Sequence, residues 1–244
     1  MSAIAKYSQI NERYIRLCSF FGIALHIEAE GEPTPAPKSE HYTLRLKLDL
    51  IPEGQYETYL SYNVRQLLLP LMNLDTGRLI IRRIKIEDAE PLFESFADAE
   101  SARLDTGSEP FETMEGEYMD SFAAIVSDDT RYAIVEKSSG KAVGLINLTP
   151  KTDRQVETME VGYCINPSSQ RKGYAFEAVS TLLDFLQKHL HLDMVLANCV
   201  ELNIPSQNML KKLGFQYEGR KHKAFWDPVT SKPVDLLCYY RDRE

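Results

Sequence analysis

The residues best suited to chemistry lie together in Glu160-Val-Gly-Tyr-Cys-Ile-Asn-Pro-Ser-Ser-Gln-Arg-Lys-Gly-Tyr-Ala-Phe-Glu-Ala-Val179. Apolar residues up to Ile165 predict a strand, the polar run after it a turn, and the apolar return from Tyr174 a helix. That order makes an anion cradle. Gly173 lets the backbone approach a ligand closely, the free N–H groups of the first helical turn point outward, and the helix dipole adds partial positive charge. Arg171 and Lys172 supply full charges beside it. A pyrophosphate suits such a site, and the apolar strand before it could lie along a slender ligand arm. A glycine in a strand-to-helix turn also occurs for steric reasons alone. The chain has no Gly-x-x-x-x-Gly-Lys-Ser/Thr for a nucleoside triphosphate and no Gly-x-Gly-x-x-Gly for a dinucleotide.

Other chemistries find little support. Cys18, Cys164, Cys199 and Cys238 stand far apart, and the histidines form no metal-ligand spacing, so neither a disulfide framework nor a metal site is indicated. Cys164 sits in the apolar run Val-Gly-Tyr-Cys-Ile, which reads as core rather than as a nucleophile. A formal net charge of −8 disfavours nucleic acid as a partner, because that affinity comes from Lys and Arg neutralising phosphates. A cationic partner is easier to accommodate. No apolar run reaches a membrane span, and the N-terminus lacks the basic-then-apolar layout of a signal peptide. No membrane partner is expected, and the expected location is the cytoplasm. With 43% hydrophobic and 26% charged residues, the composition is that of a globular protein able to bury a core.

The elements that must position the cradle form an α/β (α+β) pattern, a mixed sheet flanked by helices. Strands are predicted over Thr76 to Ile84, Tyr132 to Glu136, Ala142 to Leu148, Thr158 to Ile165 and Met194 to Val200, with β-rich closing segments. Ser138 to Gly140 supplies a hairpin turn. Helices are predicted from Ile86, after Tyr174, and over Pro205 to Leu213. Between the first helix and the second strand runs an acidic stretch holding Asp98, Glu100, Asp105, Glu109, Glu112, Glu115, Glu117 and Asp120, offset by little besides Arg103. The first 72 residues read as a separate small α+β subdomain. In it, a helix is predicted over Ile4 to Phe21, a proline-rich loop over Gly31 to Glu40, an alternating strand over His41 to Leu50, and a helix from Gln55 to Leu69. Residues 73–244 make the second domain.

Gln170-Arg-Lys-Gly173-Tyr-Ala175 resembles the acetyl-CoA signature Gln/Arg-x-x-Gly-x-Gly/Ala of the GNAT superfamily of N-acetyltransferases, and the strand before it resembles that family's fourth strand. Thr76-Gly-Arg-Leu-Ile-Ile-Arg, Val143-Gly-Leu-Ile-Asn-Leu and Asn203-Ile-Pro-Ser-Gln-Asn-Met-Leu-Lys-Lys-Leu-Gly-Phe215 are similar to segments of its ribosomal-protein N-terminal acetyltransferase branch. Glu218-Gly219 and Val234 to Tyr240 look like the branch's closing strand pair, so the resemblance covers about residues 76 to 244. Residues 1 to about 72 resemble no family we can name.

The resemblance implies the GNAT fold, acetyl-CoA as co-substrate without a metal, and direct attack of an amine on the thioester. It implies that Gln170, Arg171, Lys172, Gly173, Tyr174 and Ala175 hold the pyrophosphate. It further implies that the backbone of Tyr163, Cys164 and Ile165 binds the pantetheine arm and offers an N–H to the carbonyl, and that Asn203 contacts the arm. Glu160 matches a glutamate of the branch's Glu-x-Gly-Tyr and is the expected general base; otherwise it binds the substrate ammonium or faces solvent. Ser206 matches the serine of Asn-x-x-Ser and could hydrogen-bond the CoA sulfur, unless it only caps the following helix. Two departures stand out. Leu210 replaces a tyrosine acid common in the family, and Asn198 replaces a glutamate that some members use.

The acceptor site of the family lies between the first helical region and the closing β segments, which brings in the acidic stretch. A cationic acceptor follows, either a protein N-terminus or a small amine; an acidic face that meets only solvent is the plainer account. An acetyl-CoA-binding sensor without turnover is the rival class. For the first 72 residues, a homodimer interface, acceptor recognition and cover for a sheet edge all stay open.

Overall fold

The computed structural model describes residues 24–28, 43–47, 69, 72–107, 109–151, 153–188, 190 and 192–243. The chain divides into two compact units, Met1–Met72 and Asn73–Glu244. In the first, β1 (Ala24–Glu28) and β2 (Thr43–Lys47) pair in parallel, with Leu25 opposite Leu44 and Ile27 opposite Leu46. The helix expected over 4–21, the proline-rich loop of 31–40 and nearly all of the helix expected over 55–69 lie outside the described residues.

The second unit is built on an eight-stranded sheet of β3 (Asn73–Asp75), β4 (Leu79–Arg83), β5 (Arg131–Glu136), β6 (Ala142–Lys151), β7 (Thr158–Ile165), β8 (Met194–Val200), β9 (Gln216–Asp227) and β10 (Lys232–Asp242). The order across the sheet is β3-β4-β5-β6-β7-β8-β10-β9. All neighbours are antiparallel except β7 and β8. Of the strand expected over Thr76 to Ile84, Leu79–Arg83 forms β4, while Thr76 begins a turn, its hydroxyl on the Leu79 carbonyl, that joins β4 to the additional short strand β3. The mixed sheet flanked by helices is the expected fold.

Helix α1 (Ala89–Ala97) follows β4, and α2 (Glu117–Ser127) precedes β5. Sequence reasoning missed α2, because its many acids masked Tyr118 and Phe122, four apart on its inner face and both fully buried. These rings meet Leu92 of α1 and lie on Ala133, Val135, Leu145 and Cys164 of the sheet, forming the core on that face. Tyr118 also donates its hydroxyl to the Ala89 carbonyl at 2.6 Å, so the polar tip of a buried ring is satisfied and α2 is tied to α1. Helix α3 (Tyr174–Lys188) buries Ala178, Val179, Leu182, Leu183 and Leu186, an apolar stripe at helical spacing. Helix α4 (Ile204–Lys212) starts on Asn203, whose side-chain oxygen accepts from the Ser206 N–H, and ends before Gly214 in the left-handed region.

One feature of the sheet governs the rest. β7 pairs with β6 along its whole length, but with β8 only over Thr158 to Glu160. β8 instead follows β10 from Met194 to Val200. Beyond Glu160 the two parallel strands part, and a wedge opens in the middle of the sheet.

Candidate active site

The phase of the β6–β7 ladder decides which backbone groups face the wedge. The Asn166 N–H donates to the Val143 carbonyl at 2.9 Å. Antiparallel pairing alternates its hydrogen bonds, so Cys164 and Gly162 also turn their amides to β6, whereas Tyr163 and Ile165 turn theirs to the wedge. Of the three residues expected to offer backbone to a ligand, Tyr163 and Ile165 thus turn their amides to the wedge and Cys164 turns its amide to β6. Burial pushes the Cys164 thiol up to about 12 and that of Cys199 to about 11, so both stay protonated.

The turn after β7 carries the cradle. Gln170 closes it by donating Nε2 to the Ile165 carbonyl at 3.2 Å. Arg171 and Gly173 are left-handed, with φ of 61° and 81°, the second of which favours glycine. The first helical bond of α3 runs from Glu177 N to Gly173 O at 3.1 Å. The amides of Tyr174, Ala175 and Phe176 consequently lack helical partners and point out of the helix end. Arg171 and Lys172 are exposed beside them. Arg78 braces the turn from β4's side: it donates to the Lys172 carbonyl at 3.0 Å, pairs with Glu177 at 2.7 Å and lies 4.7 Å over the Tyr174 ring. The Tyr174 hydroxyl is held by the Glu136 carboxylate, so its side chain anchors the turn and only its amide is free.

A cavity of about 530 Å³ adjoins the wedge, lined by Tyr163 and Gly162 of β7 and by Asn203 and Ser206 at the start of α4. Phe96, Leu104, Phe111, Ile125 and Leu145 give it apolar walls. Its single carboxylate is Asp105, carried by a π-helical turn, Ala102–Thr106, that closes on Gly107. Two contacts latch this turn to the β9–β10 hairpin. Arg103 pairs with the buried Asp227 at 3.0 Å, and the Phe225 ring packs on Gly107, where a Cβ would stand 2.9 Å from it. Asp105 accepts from Asn203 Nδ2 at 3.0 Å. Burial pushes its carboxyl up from the ordinary 3.8 to about 7, the Asn203 amide opposing and the Glu100 and Asp98 charges adding. The side chain touches the open cavity yet is surrounded by protein on the scale over which charge is solvated.

The other expected residues fall into place around this centre. The Ser206 hydroxyl is 2.8 Å from that of Tyr163. The helix cap is Asn203 rather than Ser206, and with its amide on Asp105 both polar ends of Asn203 are engaged within the protein. Leu210 is fully buried, so the nearest phenol to Ser206 comes from β7 instead. Glu160 stands apart from this group. It lies on the same sheet face as Gly162 but does not line the cavity, and its carboxylate is held at 3.0 Å by Lys151 and at 2.8 Å by Asn198. This acid of a largely apolar strand thus has a cation and an amide as partners. Of the eight acids in the acidic stretch, Asp105 alone lines the cavity; it is itself exposed to the cavity's solvent, and Glu109, Glu112, Glu115, Glu117 and Asp120 are exposed elsewhere. In the sequence Asp105 is one acid among eight, and no local signal distinguishes it. Among the described residues no group of His, Cys, Asp and Glu could hold a metal ion, and no helix is long and apolar enough to cross a membrane.

Comparison with known proteins bears on this arrangement. Residues 78–216 match the family model described as an acetyltransferase (GNAT) domain. The chain is 29% identical to the uncharacterized N-acetyltransferase YoaA of Bacillus subtilis over 70% of its own length and 98% of the relative's. It is 24% identical to the ribosomal protein uS5 alanine N-acetyltransferase of Escherichia coli over 62% of this chain and 81% of that one. Among solved structures, a GNAT acetyltransferase from Bacillus anthracis superposes with a TM-score of 0.61 at 24% identity, covering 70% of this chain and 99% of that one. A spermidine N-acetyltransferase from Vibrio cholerae, solved with CoA and spermine, gives a TM-score of 0.57 at 18% identity over 68% of this chain and 96% of that one.

Proposed function

Because this chain belongs to the GNAT acetyltransferase family and is an acyltransferase, we propose that it transfers the acetyl group of acetyl-CoA directly to a primary amine, either a protein N-terminus or a small amine. The observation that carries this reading is the continuity of wedge and cavity, with Asp105 and the Tyr163–Ser206 hydroxyl pair on the same cavity wall system. The residues present fit the co-substrate. The cradle from Gln170 to Ala175 has free amides, a helix N-terminus and two cations for a pyrophosphate, and the wedge offers unpaired backbone to an extended arm.

Each group has a task. The outward amides of Tyr163 and Ile165 orient the arm and can polarise a carbonyl placed in the wedge. Asp105 takes the proton from the acceptor ammonium, a role suited to a carboxylate that titrates near neutrality. The amine nitrogen then bonds to the acetyl carbon, the carbon–sulfur bond breaks, the thiolate receives a proton from the Ser206 hydroxyl, and the second proton shed by the newly acylated nitrogen restores the Tyr163–Ser206 pair. Asn203 positions Asp105 and caps α4, so one side chain sets the spacing between base and acid. Glu160, tied to Lys151, is assigned a supporting role through Asn198.

The acceptor classes reflect two of the similar proteins, one named for a ribosomal-protein alanine and one for spermidine. The test is release of free thiol from acetyl-CoA in the presence of basic peptides and small amines. Release that requires an amine and is lost in Asp105→Asn supports the reading. Binding of acetyl-CoA without release from any amine would favour a sensor instead.

A further inference from the structure

Away from the wedge, three polar side chains line the cavity, and each keeps polar atoms for which the described residues give no partner. Arg131 starts β5, Asn147 stands opposite it on β6, and Gly162 is opposite Asn147 on β7. This row crosses two strand spacings, so Arg131 begins about 10 Å from the wedge. The Arg131 Nε donates to Asp128 Oδ2 at 2.9 Å, while Asp128 Oδ1 is fixed by the amide and hydroxyl of Thr130 at 2.9 and 2.6 Å. The guanidinium is thereby oriented, and its two terminal nitrogens have no hydrogen-bond partner among the described residues. Asn147 lies over Gly162 so closely that a Cβ there would be 2.2 Å from its Oδ1. Its amide likewise has no described partner, nor has the hydroxyl of Ser121, which reaches the same cavity from α2.

Among the described residues Arg131 and Asp105 are the two charged side chains that line the cavity; they are opposite in sign, Arg131 starting from β5 and Asp105 held beside Asn203, and Phe96, Phe111 and Ile125 add apolar surface to the same lining. One carboxylate beside the reacting end suits one ammonium. A cluster of N–H and O–H donors led by a guanidinium fork suits a carboxylate, which it can grip with two parallel bonds. A second ammonium at that end would meet the Arg131–Asp128 ion pair, with no unengaged carboxylate to receive it.

From this we infer that the acceptor is amphoteric: a primary amine whose far end bears a carboxylate, held by Arg131 with Asn147 and Ser121. The inference rests on the N-acetyltransferase reading and narrows its acceptor to amino-acid-like compounds, against polyamines.

Calorimetric titration of the full chain with CoA present tests it on matched probes: 4-aminobutyrate against butylamine, 6-aminohexanoate against hexylamine, and 1,6-diaminohexane. At least one amino acid binds about 10- to 100-fold tighter than its plain amine, and the diamine binds weakest. Arg131→Gln erases the preference, and Asp128→Asn, which keeps the guanidinium, retains it. Asn147→Asp, close in shape and so safe over Gly162, turns the preference toward the diamine. Equal affinity for amino acid and plain amine, a diamine that binds best, no binding by either amino acid, or a preference that survives Arg131→Gln in a folded protein overturns the inference. Thiol release on the same amines separates it from the wider reading. Transfer to plain amines without carboxylate preference sinks the acceptor class alone, whereas carboxylate-selective binding with no thiol release sinks acetyl transfer and leaves the anion site standing.

Discussion

Asn203 Nδ2 donates to Asp105 Oδ1 at 3.0 Å, joining positions 98 residues apart, while the same side chain's oxygen receives the Ser206 N–H at 3.0 Å. A single amide thus fixes the cavity's carboxylate relative to the helix that presents its hydroxyl.

Asp105→Asn keeps a hydrogen-bonding side chain there but cannot take a proton. We expect kcat to fall about 100-fold or more. In the parent, kcat/KM should rise with pH through about 7, because the deprotonated form acts, and the variant should lose that rise. Stability gives an independent readout. The folded carboxyl sits above its ordinary 3.8, so between there and about 7 the folded state holds more protons than the unfolded one, and stability falls as pH rises through that window. Thermal melts at pH 5 and pH 8 should therefore show the variant gaining on the parent at the higher pH.

Glu160→Gln supplies the contrast. The change breaks the ion pair with Lys151 but leaves an oxygen for Asn198. The rate should drop by less than about 10-fold, with the pH profile unmoved, since partly exposed ion pairs contribute little. A profile that flattens in this variant would return the base to Glu160 and remove it from Asp105.

Tyr163→Phe and Ser206→Ala each delete one end of a 2.8 Å hydroxyl contact. Both should slow transfer from acetyl-CoA about 10-fold or more. The double variant should be little worse than the slower single one, because the pair acts as a unit. Rates with an acetyl thioester of an acidic aromatic thiol, which leaves without help, should be nearly unaffected. Equal losses with both donors would mean that the pair shapes the cavity instead.

Gly173→Glu places a Cβ at φ 81° and an anion among the free amides of the α3 terminus. Affinity for CoA should fall at least about 10-fold, from backbone strain together with charge repulsion. Calorimetry with CoA checks this, and the same variant should still bind acceptor amines.

What could be read in the sequence was what depends on neighbours in the chain. The bounds of β7 and β8 follow from apolar runs of strand length, and the turn at Gly173 from a glycine between a strand and an amphipathic helix. What could not be read depends on register and on packing between distant segments. Lys151 meets Glu160 only because the β6–β7 ladder sets Thr149 opposite Glu160. Asp105 looks like its acidic neighbours until Arg103 and Gly107, latched to Asp227 and Phe225, set it on the cavity wall beside Asn203. The amide of Cys164 is lost to the ligand side through the two-residue alternation of a strand, a detail that no motif encodes.

The amide of Asn147 rests where Gly162 has no Cβ. A side chain at 162 would stand 2.2 Å from the Asn147 Oδ1, so it could be accepted only if the Asn147 side chain swung away from its place over β7. The two positions are therefore coupled: the bare backbone at 162 is what lets the amide at 147 lie flat across the neighbouring strand.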